Sequence, residues 1–355
     1  MAVGWDEYLK VPRAEEEYAA CRWSCRTTFQ RQRENIRRLF AATSPGAVAC
    51  LGAGVLNDIP YQEFLAAGAA VHLVDWLPGS VDTGLRLSII ETDEGGLPRC
   101  LYCNPAIDCP ERYCRSFALA AERSGGVCAR FAPCGGEPLQ CAAFERGDLP
   151  FVHYEDVTAG YASDFGRAVG ADLGGIRSWK QALLRARTIA GRIRRHQRTL
   201  SIAGDAVQMV TSSMLVSQFE HEPYGYFARQ VASQIGPPTH GEEARLRSTM
   251  EDLRTSLLID QVERHCQEID RILAPGGRCY LSSEMFHWLP DERRWVAVEG
   301  MPEMLQAIDR HFAFNFDIVP ESESLVRFET RGALSLVCAF VLESKKERGA
   351  TIASP

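Results

Sequence analysis

The sequence lacks any apolar run that approaches the roughly 18 residues needed to cross a membrane. Residues 1–7 are acidic and lack the apolar core of a secretory signal, so we expect no export signal. Excess positive charge is also missing: 39 basic and 46 acidic residues give a net charge of -7, which disfavours a polycation built for nucleic acid. With 46% hydrophobic residues, the composition excludes disorder, collagen and coiled coil. We therefore predict a cytoplasmic globular protein with neither a nucleic-acid nor a membrane partner.

Cysteine, in contrast, is abundant. The chain has 13 cysteines, and seven of them lie in one stretch of the middle third: Cys100, Cys103, Cys109, Cys114, Cys128, Cys134 and Cys141. A cytoplasmic chain is kept reduced, so thiols there indicate metal binding, redox chemistry or buried packing before structural disulfides.

A zinc site is one interpretation of this cysteine-rich segment. Cys100, Cys103, Cys109 and Cys114 offer four thiolates within a short span, which is sufficient for tetrahedral zinc. The segment is rich in glycine and proline and has little core of its own, so metal ligation would supply folding energy. Unligated buried or redox-active thiols and an iron–sulfur cluster stay open as alternatives, and the other three cysteines could replace any of the four.

A strand–turn–helix–strand pattern begins at residue 47. Ala47–Leu51 is a short apolar run typical of a buried parallel strand. It breaks at Gly52-Ala53-Gly54, is followed by a predicted helix over 59–67, and returns as a second buried strand, Ala70–Val74. Asp75 comes directly after that strand. Glycines after the first strand and an acid about 20 residues later are typical of a site that binds a ribose-containing cofactor.

The rest of the chain alternates in the same way. An amphipathic helix over 21–40 ends at Ser44-Pro45-Gly46, and Pro275-Gly276-Gly277 is predicted to terminate a long helix over 244–273. Further predicted elements are strands at 151–154, 206–211 and 278–281, a helix at 81–90, a basic helical stretch to about 200, and a closing hairpin of 325–329 and 333–342. This order predicts an α/β fold with a doubly wound, Rossmann-like sheet and a closing antiparallel hairpin.

In this order of motifs the sequence resembles the class I S-adenosylmethionine (SAM)-dependent methyltransferases. The resemblance covers roughly residues 46–345 apart from two insertions. The motifs that carry it are Cys50-Leu-Gly-Ala-Gly54, Asp75, Glu155-Asp156-Val157, residues 205–213 before the fourth-strand end, and Leu273-Ala-Pro-Gly-Gly277.

The resemblance implies SAM as cofactor and assigns residues to it. It implies that Gly52, Ala53 and Gly54 form the cofactor turn, that Asp75 holds the ribose and that Trp76 lies against the adenine. Asp156 would contact the exocyclic amine of the adenine, Val157 would contact the adenine through its backbone, and Ser212 and Ser213 would approach the methyl-bearing sulfur. Two positions depart from the family pattern, because Cys50 replaces an acid and Leu56 replaces the third glycine. Asn57 or Asp58 could therefore hold the amino-acid end of the cofactor.

The sequence after the fourth strand bears on the acceptor. It lacks the Asn/Asp-Pro-Pro-Tyr/Phe box of relatives that methylate nucleobase amines, which favours a small-molecule acceptor. His221, with Glu220 or Glu222 beside it, could act as a base, since a histidine side chain exchanges protons near neutral pH; a surface or packing histidine is the alternative. Tyr224, Tyr226 and Glu284 are further candidates. The basic run 180–198 could receive an anion or form one solvated helix face.

The predicted organisation is one enlarged domain. Residues 1–45 form a helical lid or extension, and 46–346 form the methyltransferase domain with a cysteine-rich insertion (91–148) and a basic helical insertion (159–203). Residues 347–355 are predicted to be a flexible tail. Transfer of another group from SAM, a cysteine-rich metal or redox sensor on an inactive fold, and an NAD-dependent oxidoreductase remain as alternative functions.

Overall fold

The computed structural model describes residues 4–9, 29–77, 80–81, 84–85, 90–92, 98–100, 150–196, 198–330 and 333–346. Its helices are α1 (Trp5–Leu9), α2 (Gln30–Thr43), α3 (Tyr61–Ala66), α4 (Tyr161–Asp172), α5 (Trp179–Ile193), α6 (His221–Ile235), α7 (His240–Ile272), α8 (Met301–His311) and α9 (Glu321–Ser324). Its strands are β1 (Ala47–Leu51), β2 (Ala70–Val74), β3 (Ile90–Thr92), β4 (Pro98–Cys100), β5 (Phe151–His153), β6 (Val207–Ser213), β7 (Leu273–Leu289), β8 (Arg294–Ala297), β9 (Phe312–Asn315), β10 (Leu325–Thr330) and β11 (Ala333–Ser344). None of the helices in these ranges combines the length and apolar character needed to cross a bilayer.

The described strands form one large mixed sheet and one small hairpin. The large sheet has the order β10-β11-β7-β6-β1-β2-β5, with β8 beside β7 and β9 beside β11. The pairs from β5 through β2, β1 and β6 to β7 are parallel, whereas β10, β11, β9 and β8 join antiparallel. The predicted doubly wound sheet with its closing hairpin is confirmed.

The central strands are apolar on both faces because helices cover both sides of the sheet. Leu51 pairs with Val74 on one side and with Ser212 on the other, so β1, β2 and β6 end level with one another. The chain proceeds from β1 outward through β2 to β5 and returns to the other side of β1 with β6. Ligands of such sheets bind at this switch point, beyond the carboxyl ends of the strands.

Two helical layers enclose the sheet, and a second core lies beside it. Helices α2 and α3 cover one face, where Ile36, Leu39 and Phe64 pack on the side chains of β1 and β2. The carboxyl-terminal half of α7 and α8 cover the other face. Helices α1, α4, α5 and α6 pack with the amino-terminal half of α7 in a separate cluster that includes Trp5, Phe165 and Leu257.

The long helix α7 begins earlier than predicted and ends within one residue of the predicted end, but by a different means. It begins at His240, earlier than predicted, because Thr239 and Glu242 form a reciprocal capping box. It ends at Ile272, since Leu273 is already extended, so the predicted termination by Pro275-Gly276-Gly277 is wrong. Gly276, with a φ of +77°, instead lies within β7. The β6–β7 register there jumps from Val207↔Leu273 to Met209↔Arg278, so the extra residues bulge out of the ladder.

Several predictions concern residues outside the described ranges. These are the first part of the helix predicted over 21–40, most of the cysteine-rich insertion, and the tail at 347–355. Within the ranges, α2 ends before Ser44 as predicted, because Ser44 takes a left-handed conformation and its N–H bonds to the carbonyl of Phe40.

Candidate functional site

The turn after β1 is held by bonds within the protein. Gly52 and Gly54 have positive φ angles of 69° and 50°, which glycine adopts without steric cost. The N–H groups of Gly52 and Ala53 donate to the carbonyl of Val74, at 2.8 and 3.1 Å. The N–H of Gly54 donates to Oδ2 of Asp75, at 2.8 Å. The backbone N–H groups of these three residues are therefore already bonded within the protein.

Asp75 combines the predicted location with an additional structural task. Its Oδ1 accepts from the N–H of Leu77 at 2.9 Å, while its Oδ2 accepts from Gly54. The side chain is buried, and burial raises the pKa of Asp75 against the opposing effect of these N–H bonds. A carboxylate has about four acceptor positions, so Asp75 retains acceptor capacity toward the crevice.

The loop between the turn and α3 is also buried. Leu56, at the position of a third glycine, has a φ of +59°, a conformation that costs a non-glycine residue about 1–2 kcal/mol. Asn57 and Asp58 are buried, and the Asn57 carbonyl accepts a hydrogen bond from Arg33 of α2. The structure therefore places Asn57 and Asp58 between the glycine turn and α2.

Two buried amides on α2 are functional candidates that the sequence interpretation missed. Gln32 and Asn35 are at most 1% exposed, and neither side chain has a hydrogen-bond partner within the described structure. They share the buried face of α2 with Ile36 and Leu39, and this spacing was a signal available in the sequence. An unsatisfied buried polar group costs about 1–3 kcal/mol, so these amides favour a polar occupant between α2 and the sheet.

The sheet residues beneath α2 extend this polar patch. Cys50, Thr211 and Tyr280 are in register across β1, β6 and β7. Burial raises the pKa of both Tyr280 and Cys50, and the charge of Asp58 raises them further, whereas Asn35 has the opposite effect on the pKa of Tyr280. The Thr211 and Tyr280 hydroxyls have no partner at hydrogen-bond geometry in the described structure. The patch therefore reaches from α2 toward Asp58 at the edge of the site.

The loop after β5 is fixed by Asp156. Its Oδ1 accepts from the backbone N–H and the hydroxyl of Thr158, and its Oδ2 accepts from the N–H of Ser163 at 2.8 Å. Asp156 therefore holds the start of α4. The carbonyl of Val157 accepts from Nδ1 of His265 on α7 at 2.9 Å.

The end of β6 carries the predicted serines. Ser212 is fully buried, and its hydroxyl lies 2.8 Å from Nε2 of His265. The Ser213 hydroxyl lies 2.9 Å from that of Ser282 on β7. His265 is thus a further residue that the sequence interpretation missed, although a histidine on the apolar stripe of α7 was a usable signal.

The three predicted catalytic side chains lie at the start of α6. His221 is 60% exposed, with Nδ1 3.2 Å from the Gln218 carbonyl and 3.7 Å from Glu220 Oε1. Glu220 is buried and forms a 2.7 Å ion pair with Arg254 of α7. The Arg254 guanidinium lies 5.5 Å from the centre of the Tyr224 ring. Glu220 and Tyr224 are therefore joined through Arg254, whereas His221 faces outward.

The remaining pocket candidates divide between core and sheet. Trp76 is half-buried and packs edge-on against Trp5 of α1, at 5.9 Å between ring centres. Tyr226 is fully buried in the second core, also against Trp5. Glu284 is half-buried on β7, paired in register with Val337. Helix α1 therefore lies beside the residue that follows Asp75.

Four arginines of the basic run form ion pairs with acidic residues of neighbouring helices. Those pairs are Arg187–Asp252, Arg192–Asp172, Arg194–Asp260 and Arg198–Asp164. The arrangement corresponds to the solvated helix face that was one of the two interpretations.

The structure does not describe the side chains of the predicted zinc ligands. Cys100 ends β4, and Cys103, Cys109 and Cys114 lie outside the described residues. Among the residues that the structure does describe, no three His, Cys, Asp or Glu side chains are grouped to hold a metal ion.

Searches against protein-family models and curated proteins gave no match. The chain is similar to solved structures at low sequence identity. One is a SAM-dependent methyltransferase from Methanosarcina mazei, at 10% identity and a TM-score of 0.35, with 84% of this chain and 92% of that chain covered. Another is the N-methyltransferase NodS from Bradyrhizobium japonicum in complex with S-adenosyl-L-homocysteine, at 8% identity and a TM-score of 0.31, with 89% and 87% covered. A third is an O-methyltransferase family protein from Burkholderia thailandensis, at 9% identity and a TM-score of 0.38, with 98% and 64% covered.

Proposed function

We propose that the chain is a SAM-dependent methyltransferase that acts on a small-molecule acceptor. The observation that carries the proposal is the bonding of the glycine turn at the switch point of the sheet. Its N–H groups are committed to Val74 and Asp75, and the Asp75 carboxylate lies directly beside it.

This bonding favours SAM over a dinucleotide. A pyrophosphate needs free N–H groups and a helix N-terminus aimed at it. Here three N–H groups of the turn are already bonded, and α3 begins only at Tyr61, well after Gly54. SAM carries no phosphate, and its ribose hydroxyls are donors that a buried carboxylate such as Asp75 can accept.

The chain's own residues supply a fitting surface for each part of SAM. In this proposal Asp75 accepts from the ribose hydroxyls, Trp76 lies against the adenine, and Asp156 and Val157 flank the adenine edge. The amino-acid end is zwitterionic and would satisfy the unpartnered amides of Gln32 and Asn35 beside Asn57 and Asp58. Residues 212 and 213 lie at the end of β6, level with the glycine turn.

The reaction itself demands alignment more than acid–base strength. SAM, when bound, supplies a methyl group on a positively charged sulfur. The protein must orient the acceptor in line with that bond and, for some acceptors, remove a proton. In this proposal Glu220, which is held by its ion pair with Arg254, takes that proton, and Tyr224 lies against the same guanidinium. His221 would serve only if an acceptor covered it.

The charge distribution supports a small-molecule acceptor over a nucleic acid. Four of the arginines in α5 and the segment after it are paired with acids, Arg185 donates to the backbone carbonyls of Asp172 and Gly174, and the net charge is -7. A phosphate backbone would require unpaired cations on a continuous surface.

Calorimetry with S-adenosylhomocysteine tests the proposal. We expect the wild-type protein to bind it and Asp75→Ala to lose at least about tenfold in affinity, because a charge-assisted hydrogen bond contributes about 1.5–3 kcal/mol. Glu268→Ala is the matched control, since Glu268 is a buried carboxylate that also accepts a backbone N–H, from Leu200 on the other side of the core.

Wild-type protein that fails to bind at millimolar ligand would refute the proposal. Equal losses in Asp75→Ala and Glu268→Ala would refute the role of Asp75. With candidate acceptors, the product mass distinguishes the gain of a methyl group from transfer of a larger part of SAM.

A further inference from the structure

A single buried side chain joins two segments that belong to different strands. His265 of α7 is completely buried. Its Nδ1 lies 2.9 Å from the carbonyl oxygen of Val157, and its Nε2 lies 2.8 Å from the hydroxyl of Ser212. The ring also contacts Phe219 edge-on, at 5.1 Å between ring centres.

The chemistry of the two partners fixes the tautomer of His265. A carbonyl oxygen can only accept, so Nδ1 carries the proton. In the neutral ring Nε2 is then an acceptor, and the Ser212 hydroxyl donates to it. Burial lowers the pKa of His265 to about 4, so the ring is neutral at neutral pH and this hydrogen-bond chain runs in one direction, from Ser212 through His265 to Val157.

The two ends of this hydrogen-bond chain, Ser212 and Val157, lie at different parts of the proposed site. Ser212 pairs in register with Leu51, directly before the glycine turn. Val157 lies in the loop after β5, between Asp156 and Thr158, whose mutual bonds hold the start of α4. His265 therefore connects the end of the fourth parallel strand with the loop that our proposed function assigns to the adenine.

We propose that His265 is a positioning residue that sets the adenine loop, residues 155–160, relative to the carboxyl end of β6. This inference rests on the proposed SAM-binding function. It assigns to His265 no contact with the cofactor. The proposal predicts that the affinity for the adenosine part of SAM depends on two features of the residue at position 265. They are a hydrogen-bond donor toward the Val157 carbonyl and an acceptor toward the Ser212 hydroxyl.

The experiment compares four variants by calorimetry, at a temperature well below the unfolding midpoint of each. His265→Leu removes both hydrogen bonds, and Ser212→Ala removes one with a smaller change in volume. His265→Gln retains an N–H donor and a carbonyl acceptor. Cys266→Ala is the matched control, because Cys266 is the next residue of α7, is equally buried, and has only packing to lose. The ligands are S-adenosylhomocysteine and its fragment 5′-methylthioadenosine, which lacks the amino-acid end.

We expect His265→Leu to lower the affinity for both ligands by the same factor, about tenfold, because only binding of the adenosine part is affected. Ser212→Ala should weaken both by a smaller factor, and His265→Gln should restore affinity to within about threefold of wild type. Cys266→Ala should lower the unfolding temperature without changing either affinity.

Three outcomes overturn the inference while the proposed function survives. They are wild-type affinity in both His265→Leu and Ser212→Ala, a loss in Cys266→Ala equal to that in the His265 variants, and no recovery in His265→Gln. Wild-type protein that binds neither ligand overturns the proposed function and this inference together.

Discussion

Gly52 is the residue at which the turn after β1 tolerates the least change. Its φ of +69° is unfavourable for any residue with a Cβ, and a Cβ placed there would lie 2.6 Å from Cδ2 of Leu215. Backbone strain and overpacking together predict that Gly52→Ala lowers the free energy of unfolding by about 2–4 kcal/mol. Urea unfolding measures this loss, and binding of S-adenosylhomocysteine should weaken in the same variant.

Gly68→Ala is the control for backbone strain alone. Gly68 has a similar φ of +82°, but nothing lies within 4 Å of the position of its Cβ. We expect a loss of only about 1–2 kcal/mol there, with ligand binding unchanged. Equal losses in the two variants would contradict the proposed contact with Leu215.

His265 provides a second prediction for a single residue, in the pH dependence of stability. Burial lowers its pKa from 6.5 to about 4, so between these values the unfolded chain binds a proton that the native protein does not. The stabilisation that arises from this lowered pKa of His265 is therefore complete above about pH 6.5. It is lost as the pH falls toward about 4, and the free energy of unfolding then decreases by about 1.4 kcal/mol per pH unit. We predict that, between about pH 7 and pH 4.5, wild type loses roughly 2–3 kcal/mol more stability than His265→Gln does.

Urea unfolding of both proteins across this pH range tests the prediction. His72 and His153, whose pKa values burial also lowers, contribute to both proteins and cancel in the comparison. Parallel stability profiles would show that His265 does not titrate differently in the two states.

At the scale of the element, α2 packs on the sheet with two unsatisfied amides in its buried face. Asn35 has no partner for either side-chain atom in the described structure, and Ile36 and Leu39 pack beside it. Replacing an unsatisfied polar group by an apolar one of similar size removes a desolvation penalty. We therefore predict that Asn35→Leu raises the free energy of unfolding of the ligand-free protein by about 1–2 kcal/mol and weakens binding of S-adenosylhomocysteine.

Asn315→Leu is the corresponding control, because the Asn315 amide donates to Glu343 at 2.9 Å. It should not stabilise the protein, and it should leave ligand affinity unchanged. A stabilised Asn35→Leu protein with wild-type affinity would show that Asn35 does not contact the cofactor.

The elements that sequence predicted best are those specified by local pattern. β1 and β2 have the predicted bounds, because an apolar run flanked by glycine is unambiguous in a buried parallel strand. The start of α7 was missed although its capping box is visible in the sequence. The hydrogen bonds by which Asp156 holds the start of α4 and His265 joins Val157 to Ser212 were missed for a different reason. Their hydrogen-bond partners depend on which loop meets which helix, and no local pattern specifies that.

For the whole molecule, the fold brings distant segments to one edge of one sheet. Gly52, Asp75 and Val157 follow three different strands, and Ser212 lies near the end of a fourth. The Asp75 carboxylate, which accepts from Gly54, and the His265 ring, which bonds to Val157 and Ser212, connect these ends in pairs. The site is thus built from the relative placement of strands. Its geometry should depend on the buried positioning groups as much as on the residues that contact a ligand.

The last prediction concerns the cysteines of the whole chain. Four cysteines lie in the folded core: Cys50, Cys266 and Cys279 are buried, and Cys338 is half-buried. Burial raises the pKa of each of these thiols. All four are therefore poor nucleophiles and poor metal ligands. Metal bound by the purified protein would therefore belong to the other cysteines. We predict about one zinc ion per chain, lost in Cys103→Ser and kept in Cys266→Ala, as measured by elemental analysis. If zinc-free Cys103→Ser binds S-adenosylhomocysteine as wild type does, the metal is structural. Wild-type protein that contains no zinc would contradict the zinc prediction.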